Sequence, residues 1–406
     1  MTPRERILAA LNHRQPDRVP IDFSGHRSSG INAIAYARLR DFLKLPKRPI
    51  RVYDIIQQMA VVDEDVLERF GVDTIELGRA FAQEERYWRD WVLPDGTPCQ
   101  VPIWLKPERD GDRWVLRSPR GRVMAQMPDG ALFFEQTYYP FFDGQPDHTR
   151  IEEAFEESMW TGISSPPGPL ADGPEGVLIE GARRLRGSTD RAILGLFGGN
   201  LLECGQFLYR NDGFFLLLAG EPDRAHDFLE RLVEIHLRKL ESFLGKVGRY
   251  IDIIVFGDDL GMQTGPQMSP AMYREFFKPR HARMWKRAKE LAPVKVMLHC
   301  CGGVRELLPD LIDAGLDAIN PVQITCRGMD GEGLKRDFGG RMTFWGGGCD
   351  TREILARGTP EEVARHVRSQ VRTMHVDGGF VFQQVHNILA DVPPQNIVAM
   401  FDAVRE

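Results

Sequence analysis

Short apolar runs that end in glycine or a polar cluster, each followed by an amphipathic stretch, constrain this chain more than any other feature. Six such runs fall at residues 191–197, 251–256, 294–299, 317–323, 341–345 and 379–386. Helical stretches such as 272–291, 304–314 and 360–375 lie between them. Two earlier runs, 19–23 and 71–77, bring the expected strands to eight. Repeated β-then-α units require a parallel sheet buried under helices, either open and doubly wound or closed into a barrel. Eight units favour the closed α/β form, a (β/α)8 TIM barrel spanning 1–406 as a single domain. In such a barrel the chemistry sits where the strands end.

The chain opens on a helix signal: Thr2 as cap, Pro3 at the first helical position and Glu5 closing a capping box. Further helical stretches are expected at 31–43 and 61–70. From 87 to 138 the texture changes to short β-like runs separated by Asp95-Gly96 and Asp129-Gly130. That pattern predicts a small antiparallel β-meander inserted after the second strand. Ser164-Ser165-Pro166-Pro167-Gly168-Pro169 reads as a turn or linker.

Composition excludes several function classes. A hydrophobic content of 42% with 27% charged residues supports a full core. The net charge of -6 argues against nucleic acid or an anionic membrane as partner, because both select basic surfaces. No apolar run is long enough to span a bilayer and no signal peptide opens the chain, so a cytoplasmic location is expected. Six cysteines over 406 residues make no disulfide framework, leaving burial or metal binding as their uses.

The run Val294-Lys295-Val296-Met297-Leu298-His299-Cys300-Cys301-Gly302-Gly303 carries the sharpest chemical signal. Residues two apart in a strand share a face, so His299 and Cys301 point together and Cys300 points to the helix layer. Cys349, in Trp345-Gly346-Gly347-Gly348-Cys349-Asp350, is the candidate third ligand. Cys₂His with an open fourth position is an accepted catalytic zinc set, and soft thiolates disfavour magnesium and calcium. Burial as small apolar residues is the competing reading for these cysteines. Glycines after both cysteines let backbone approach a ligand.

Other candidates lie near the same rim. Asp258 and Asp259 read as general acid/base carboxylates, as partners of a ligand histidine, or as helix and loop caps. His386 ends the last strand and Asp73 lies in the second. Asn200, Gln323 and Asp350 add polar groups there, and His26-Arg27-Ser28-Ser29-Gly30 is a candidate anion-binding loop or a solvated one. There is no P-loop, dinucleotide fingerprint, nucleophile elbow or His-Glu-x-x-His.

Over nearly its whole length the sequence resembles the uroporphyrinogen decarboxylase superfamily. The resemblance rests on Pro16-Asp17-Arg18-Val19-Pro20, on the tract from Met268-Ser269-Pro270 to Phe277-Lys278-Pro279, on Gly358-Thr359-Pro360-Glu361-Glu362-Val363, and on His386 followed by Val392-Pro393-Pro394-Gln395-Asn396-Ile397. It implies a (β/α)8 barrel, with Asp73 and His386 at the positions of the decarboxylases' catalytic aspartate and terminal histidine. Those enzymes hold a polyanion with an Arg-Gln-Ala-Gly-Arg segment, whereas Phe23-Ser24-Gly25-His26-Arg27-Ser28-Ser29-Gly30 offers one arginine.

A second branch of the superfamily, the zinc-dependent methyltransferases that work with corrinoid proteins, resembles this chain more closely. Their His-x-Cys signature and later cysteine are matched by His299, Cys301 and Cys349. The resemblance implies Zn2+ as cofactor, a corrinoid protein as partner, and a small-molecule thiol or methyl donor as substrate. A homodimer is one allowed assembly. Catalytic roles then fall to Asp73, Asp258, Asp259 and His386. The alternative expectation is a metal-free decarboxylase of a porphyrinogen or smaller acid, and a third is a binding module without turnover.

Overall fold

The expected strands appear in the computed structural model, which describes residues 1–144, 146–163, 166, 168 and 176–406. Seven of them form one parallel sheet in sequential order. They are numbered here β1 (Thr74–Glu76), β2 (Ala192–Gly198), β3 (Ile253–Gly257), β4 (Lys295–His299), β5 (Ala318–Asn320), β6 (Thr343–Trp345) and β7 (Phe380–Val381). The eighth expected run closes the ring as a short bridge. Ile21 pairs in parallel with Phe382, Asp22 N–H donates to Phe382 O at 2.8 Å, and Asp73 N–H donates to Ile21 O at 2.8 Å. Pro20 lacks an N–H to donate and Ser24 turns with φ +60, which keeps this stave short. The result is an α/β barrel with small antiparallel sheets set beside it.

Alternation along the strands separates two apolar layers. Ala192, Leu194, Ile253, Val255, Met297, Ala318, Trp345 and Val381 fill the barrel interior. Ile254, Phe256, Val296, Leu298, Ile319, Phe344 and Phe380 face the helices. The helix Pro3–Leu11 plugs one end, contributing Ile7, Ala10 and Leu11 to the interior cluster. Its Thr2–Glu5 capping box forms as expected, and a second box, Thr359 with Glu362, starts the helix Pro360–Met374.

The β-rich insertion forms between β1 and β2, as two sheets. Trp88–Val92 pairs with Pro98–Pro102, and a separate four-stranded sheet runs from Glu108 to Gln136. Trp91, Val101, Leu116 and Met127 from these strands join the same apolar cluster as the outer barrel face. Most of the linker expected at 164–169 lies outside the described residues. No helix among the described residues is long and apolar enough to cross a membrane.

Candidate functional site

Met297 belongs to the interior cluster and Leu298 to the outer one, so the pleat turns His299 inward at the end of β4. Cys301 follows on the same side, with Sγ 3.5 Å from His299 Nε2. Cys300 faces outward as expected, fully buried in the helix-side core with Sγ accepting from Leu260 N–H at 3.3 Å. The third member of the group arrives from beyond β7. The His386 ring lies 5.8 Å from that of His299 at 61°. The ligand atoms of His299, Cys301 and His386 all lie within 4.8 Å of one another.

A buried network orients His299. Asn320, at the end of β5, offers Oδ1 to His299 Nδ1 at 2.9 Å, while its Nδ2 donates to Gln383 Oε1 at 2.8 Å. Ser28 Oγ lies 3.0 Å from both His299 Nδ1 and His26 Nδ1. His26 Nε2 meets Gln383 Oε1 at 3.1 Å and Asp22 Oδ2 at 3.2 Å. The amide orientation assigns the His299 proton to Nδ1 and leaves the Nε2 lone pair facing Cys301. Asp259 supports the other side: its Oδ1 accepts from Cys301 N–H at 2.7 Å and lies 3.7 Å from His299 Nε2. The candidate anion loop at 26–30 is thus a buried part of the site, holding histidines in place.

Burial sets the protonation states. It lowers His386 to about 3, reinforced by His299 and His26, and lowers His299 against the pull of Asp259. Both rings are neutral and able to donate lone pairs. Burial and the Asp259 carboxylate push the Cys301 thiol well above its usual range.

His299, His386 and Asp259 border a cavity of about 590 Å³ at the C-terminal end of the strands. Glu76 at the end of β1, Glu203, Arg27 and Lys239 line it, together with aromatic side chains. Burial raises the Glu76 carboxyl to about 7, opposed by Arg27, His26 and Arg79. Glu203 is raised well above the carboxylate range by burial and by Asp259 and Asp258.

Three expected site residues sit elsewhere. Asp73 is at the opposite end of the barrel, just before β1, because that strand begins at Thr74. There it is fully buried, accepting from Arg6 Nη1 at 2.6 Å, Arg18 Nη1 at 2.8 Å and Ile21 N–H at 2.8 Å. Asp258 caps the helix Leu202–Tyr209, accepting from Leu202 N–H at 3.0 Å and Glu203 N–H at 2.9 Å, and meets His281 Nε2 at 3.2 Å. Cys349 is absent from the ligand group. Gly346 and Gly347 turn with φ of +100 and +80 and break the alternation after β6. Cys349 then pairs with Gln384 and is buried in the helix-side core, its Sγ directed to Asp350 O at 3.7 Å.

Asp350 caps its own turn through Arg352 and Glu353 N–H, and Gln323 accepts from Gly302 N–H. The space beside Gly302 holds the backbone of Gly261, so that glycine serves chain crossing and not ligand approach. Glu76 and Asn320 were not among the expected site residues, and Ser28 was expected only as part of the candidate anion-binding loop. The signal for Glu76 was its place near the end of the 71–77 run, where Asp73 drew attention instead.

Comparison with known proteins bears on the fold and the family resemblance. Residues 208–406 match the family model described as uroporphyrinogen decarboxylase (URO-D). A uroporphyrinogen decarboxylase from Legionella pneumophila (strain Corby) is 26% identical over 192 residues, covering 47% of this chain and 50% of that protein. The match thus spans half the length of that curated relative. A solved methyltransferase from Methanosarcina mazei superposes over 100% of this chain and 98% of its own, with TM-score 0.60 and 16% identity, a likeness of fold. Residues 208–406 thus resemble the uroporphyrinogen decarboxylase family, and the whole chain shares its fold with that methyltransferase.

Proposed function

We propose that the chain is a zinc-dependent methyltransferase, moving a methyl group between a small substrate in the 590 Å³ cavity and a corrinoid carried by a partner protein. The observation that carries this reading is the grouping of His299, Cys301 and His386, ligand atoms within 4.8 Å, with both histidines on the cavity wall. Two imidazoles and one thiol suit zinc, which takes nitrogen and sulfur at about 2.0–2.3 Å and keeps an open position in catalytic sites. A zinc ion held there supplies the Lewis acidity that deprotonates a bound thiol, or polarises a methylated heteroatom, near neutral pH. His386 takes the third-ligand role expected of Cys349.

The chain's own residues do the rest. Asn320 and Ser28 hold the His299 ring so that Nε2 faces the cavity. Asp259 fixes the Cys301 backbone and places a carboxylate beside both ligands. Glu76 and Glu203 border the cavity as buried acids able to hold a proton close to neutral pH.

A metal-free decarboxylase has less support. A polycarboxylate requires several cations, whereas Arg27 and Lys239 are the basic Lys/Arg side chains on the described cavity wall, against Glu76, Glu203 and Asp259. Asp73, its expected catalytic acid, is held in ion pairs at the far end. Metal analysis of the purified protein, combined with a methyl-transfer assay on wild type and Cys301→Ser, tests the proposal. About one zinc per chain and transfer lost in the variant are expected. Wild type without stoichiometric metal, or with chelator-indifferent decarboxylation, sinks it.

A further inference from the structure

The cavity wall away from the ligand group is built from rings. Phe155, Trp160, Phe197, Phe207, Phe243 and Phe256 all line it. Trp160 stacks on Phe207 with centroids 5.9 Å apart at 26°. Phe197 makes an edge contact with Phe256 at 5.3 Å and packs against Phe243 at 6.1 Å. His236 continues this wall between Phe155 and Phe197, at 6.4 Å from each. Burial lowers its imidazole to about 4, so it adds an uncharged ring. His299, His386, Asp259 and Glu76 line the same cavity, and Asn200, Glu203 and Lys239 add polar groups to its wall.

A cavity of about 590 Å³ is far larger than a one-carbon donor such as methanol requires, and falls in the range that encloses drug-sized ligands. Its rings do not form a free cage for a quaternary ammonium. Lys239 Nζ already lies 5.3 Å from the Phe155 centroid, and a second cation beside it would be repelled. A polyanion is disfavoured by the three acids on the wall. Arg27 is committed to Asp54, its Nε 2.8 Å from Oδ2.

We infer that the substrate is an uncharged methyl donor or acceptor with a planar, apolar body of one or two rings. The body lies against the aromatic wall, and the heteroatom that bears or receives the methyl group lies toward His299, Cys301 and His386. This inference rests on the methyl-transfer reading for what happens at the heteroatom, and on the cavity alone for what binds. In the donor direction the heteroatom–methyl bond breaks and its electron pair stays on the heteroatom. The new carbon–cobalt bond takes its pair from the reduced corrinoid.

Isothermal titration of the purified full chain with anisole, trimethylglycine and methanol tests the binding without any turnover. Anisole is expected to bind more tightly than either of the others, and Phe207→Ala and Trp160→Ala are each expected to weaken it by about five- to tenfold, the worth of one aromatic contact. Both variants should keep the wild-type metal content and melting temperature within about two degrees, because both residues are only partly buried and lie on the cavity wall. Tighter binding of trimethylglycine, no binding of anisole, or anisole binding indifferent to both variants overturns the inference. Anisole binding with the expected variant losses, but without methyl transfer to free cob(I)alamin, supports the binding claim while failing the reaction proposed above.

Discussion

The two ends of this barrel are built from the same residue types and do opposite work. Asp73 and Glu76 lie three residues apart on one strand segment, both buried. At the N-terminal end, Asp73 is met by two arginines and a backbone N–H, and Arg6 also reaches Asp17 at 2.7 Å. At the C-terminal end, Glu76 lines a cavity and no described residue hydrogen-bonds its carboxyl. The same contrast holds for the histidines and cysteines. Cys300 and Cys349 are absorbed into the helix-side core, whereas Cys301 groups with His299 and His386, which line the cavity. A buried polar group matched by partners holds a fold together, and one aimed into a cavity is available to a ligand.

The comparison breaks if the ligand group is dispensable. Cys301→Ser and His386→Ala should each remove stoichiometric metal and lower methyl transfer by about a thousandfold or more, the scale set by losing an essential catalytic group. Cys349→Ser should keep both. Elemental analysis beside the transfer assay decides it, and metal lost from Cys349→Ser with metal kept in His386→Ala would restore the ligand set expected from sequence.

At the other end, Asp73→Asn should destabilise the chain by about 3–5 kcal/mol, because it strands buried Arg6 beside a neutral amide. Metal bound per folded chain should not change. Denaturant unfolding of wild type and variant gives the difference, and a loss below about 1 kcal/mol would remove Asp73 from its structural role.

Glu76 sharpens the contrast through pH. Its carboxyl is raised from the usual 4.5 to about 7 by burial, so the folded chain binds this proton more tightly than the unfolded one. The associated stability is full below about pH 4.5 and is lost as pH rises through 7, on the order of 3 kcal/mol in total. Glu76→Gln should flatten this decline in melting temperature between pH 5 and 7. An identical slope in wild type and variant counts against a buried, proton-holding Glu76.

The smallest effect is expected from Asn320→Ala. Its Oδ1 positions His299 without touching a ligand atom of the open site, and loss of such a partner lowers metal affinity about 10- to 100-fold. Competition with a chelator measures this, and unaltered affinity would show that Ser28 alone holds the ring.

Much of this was legible in the chain because it is local. The capping boxes at Thr2 and Thr359 formed as read, since each needs only four consecutive residues. The outward turn of Cys300 and the shared face of His299 and Cys301 follow from the two-residue repeat of a strand. Asp73 was misplaced because an aspartate within an apolar run does not announce where the run begins pairing. One strand boundary three residues along moves a carboxylate from one end of the barrel to the other.

The sequence by itself determined the alternation of strands and helices, and with it a barrel whose rim carries His299 and Cys301. Only the tertiary structure decided that His386, 85 positions beyond Cys301, completes the group in place of Cys349. The physical reason is that periodicity orients side chains within one strand. Proximity across a barrel depends instead on closure, on strand limits set by neighbouring hydrogen bonds, and on turns such as Gly346-Gly347 that re-aim whatever follows them.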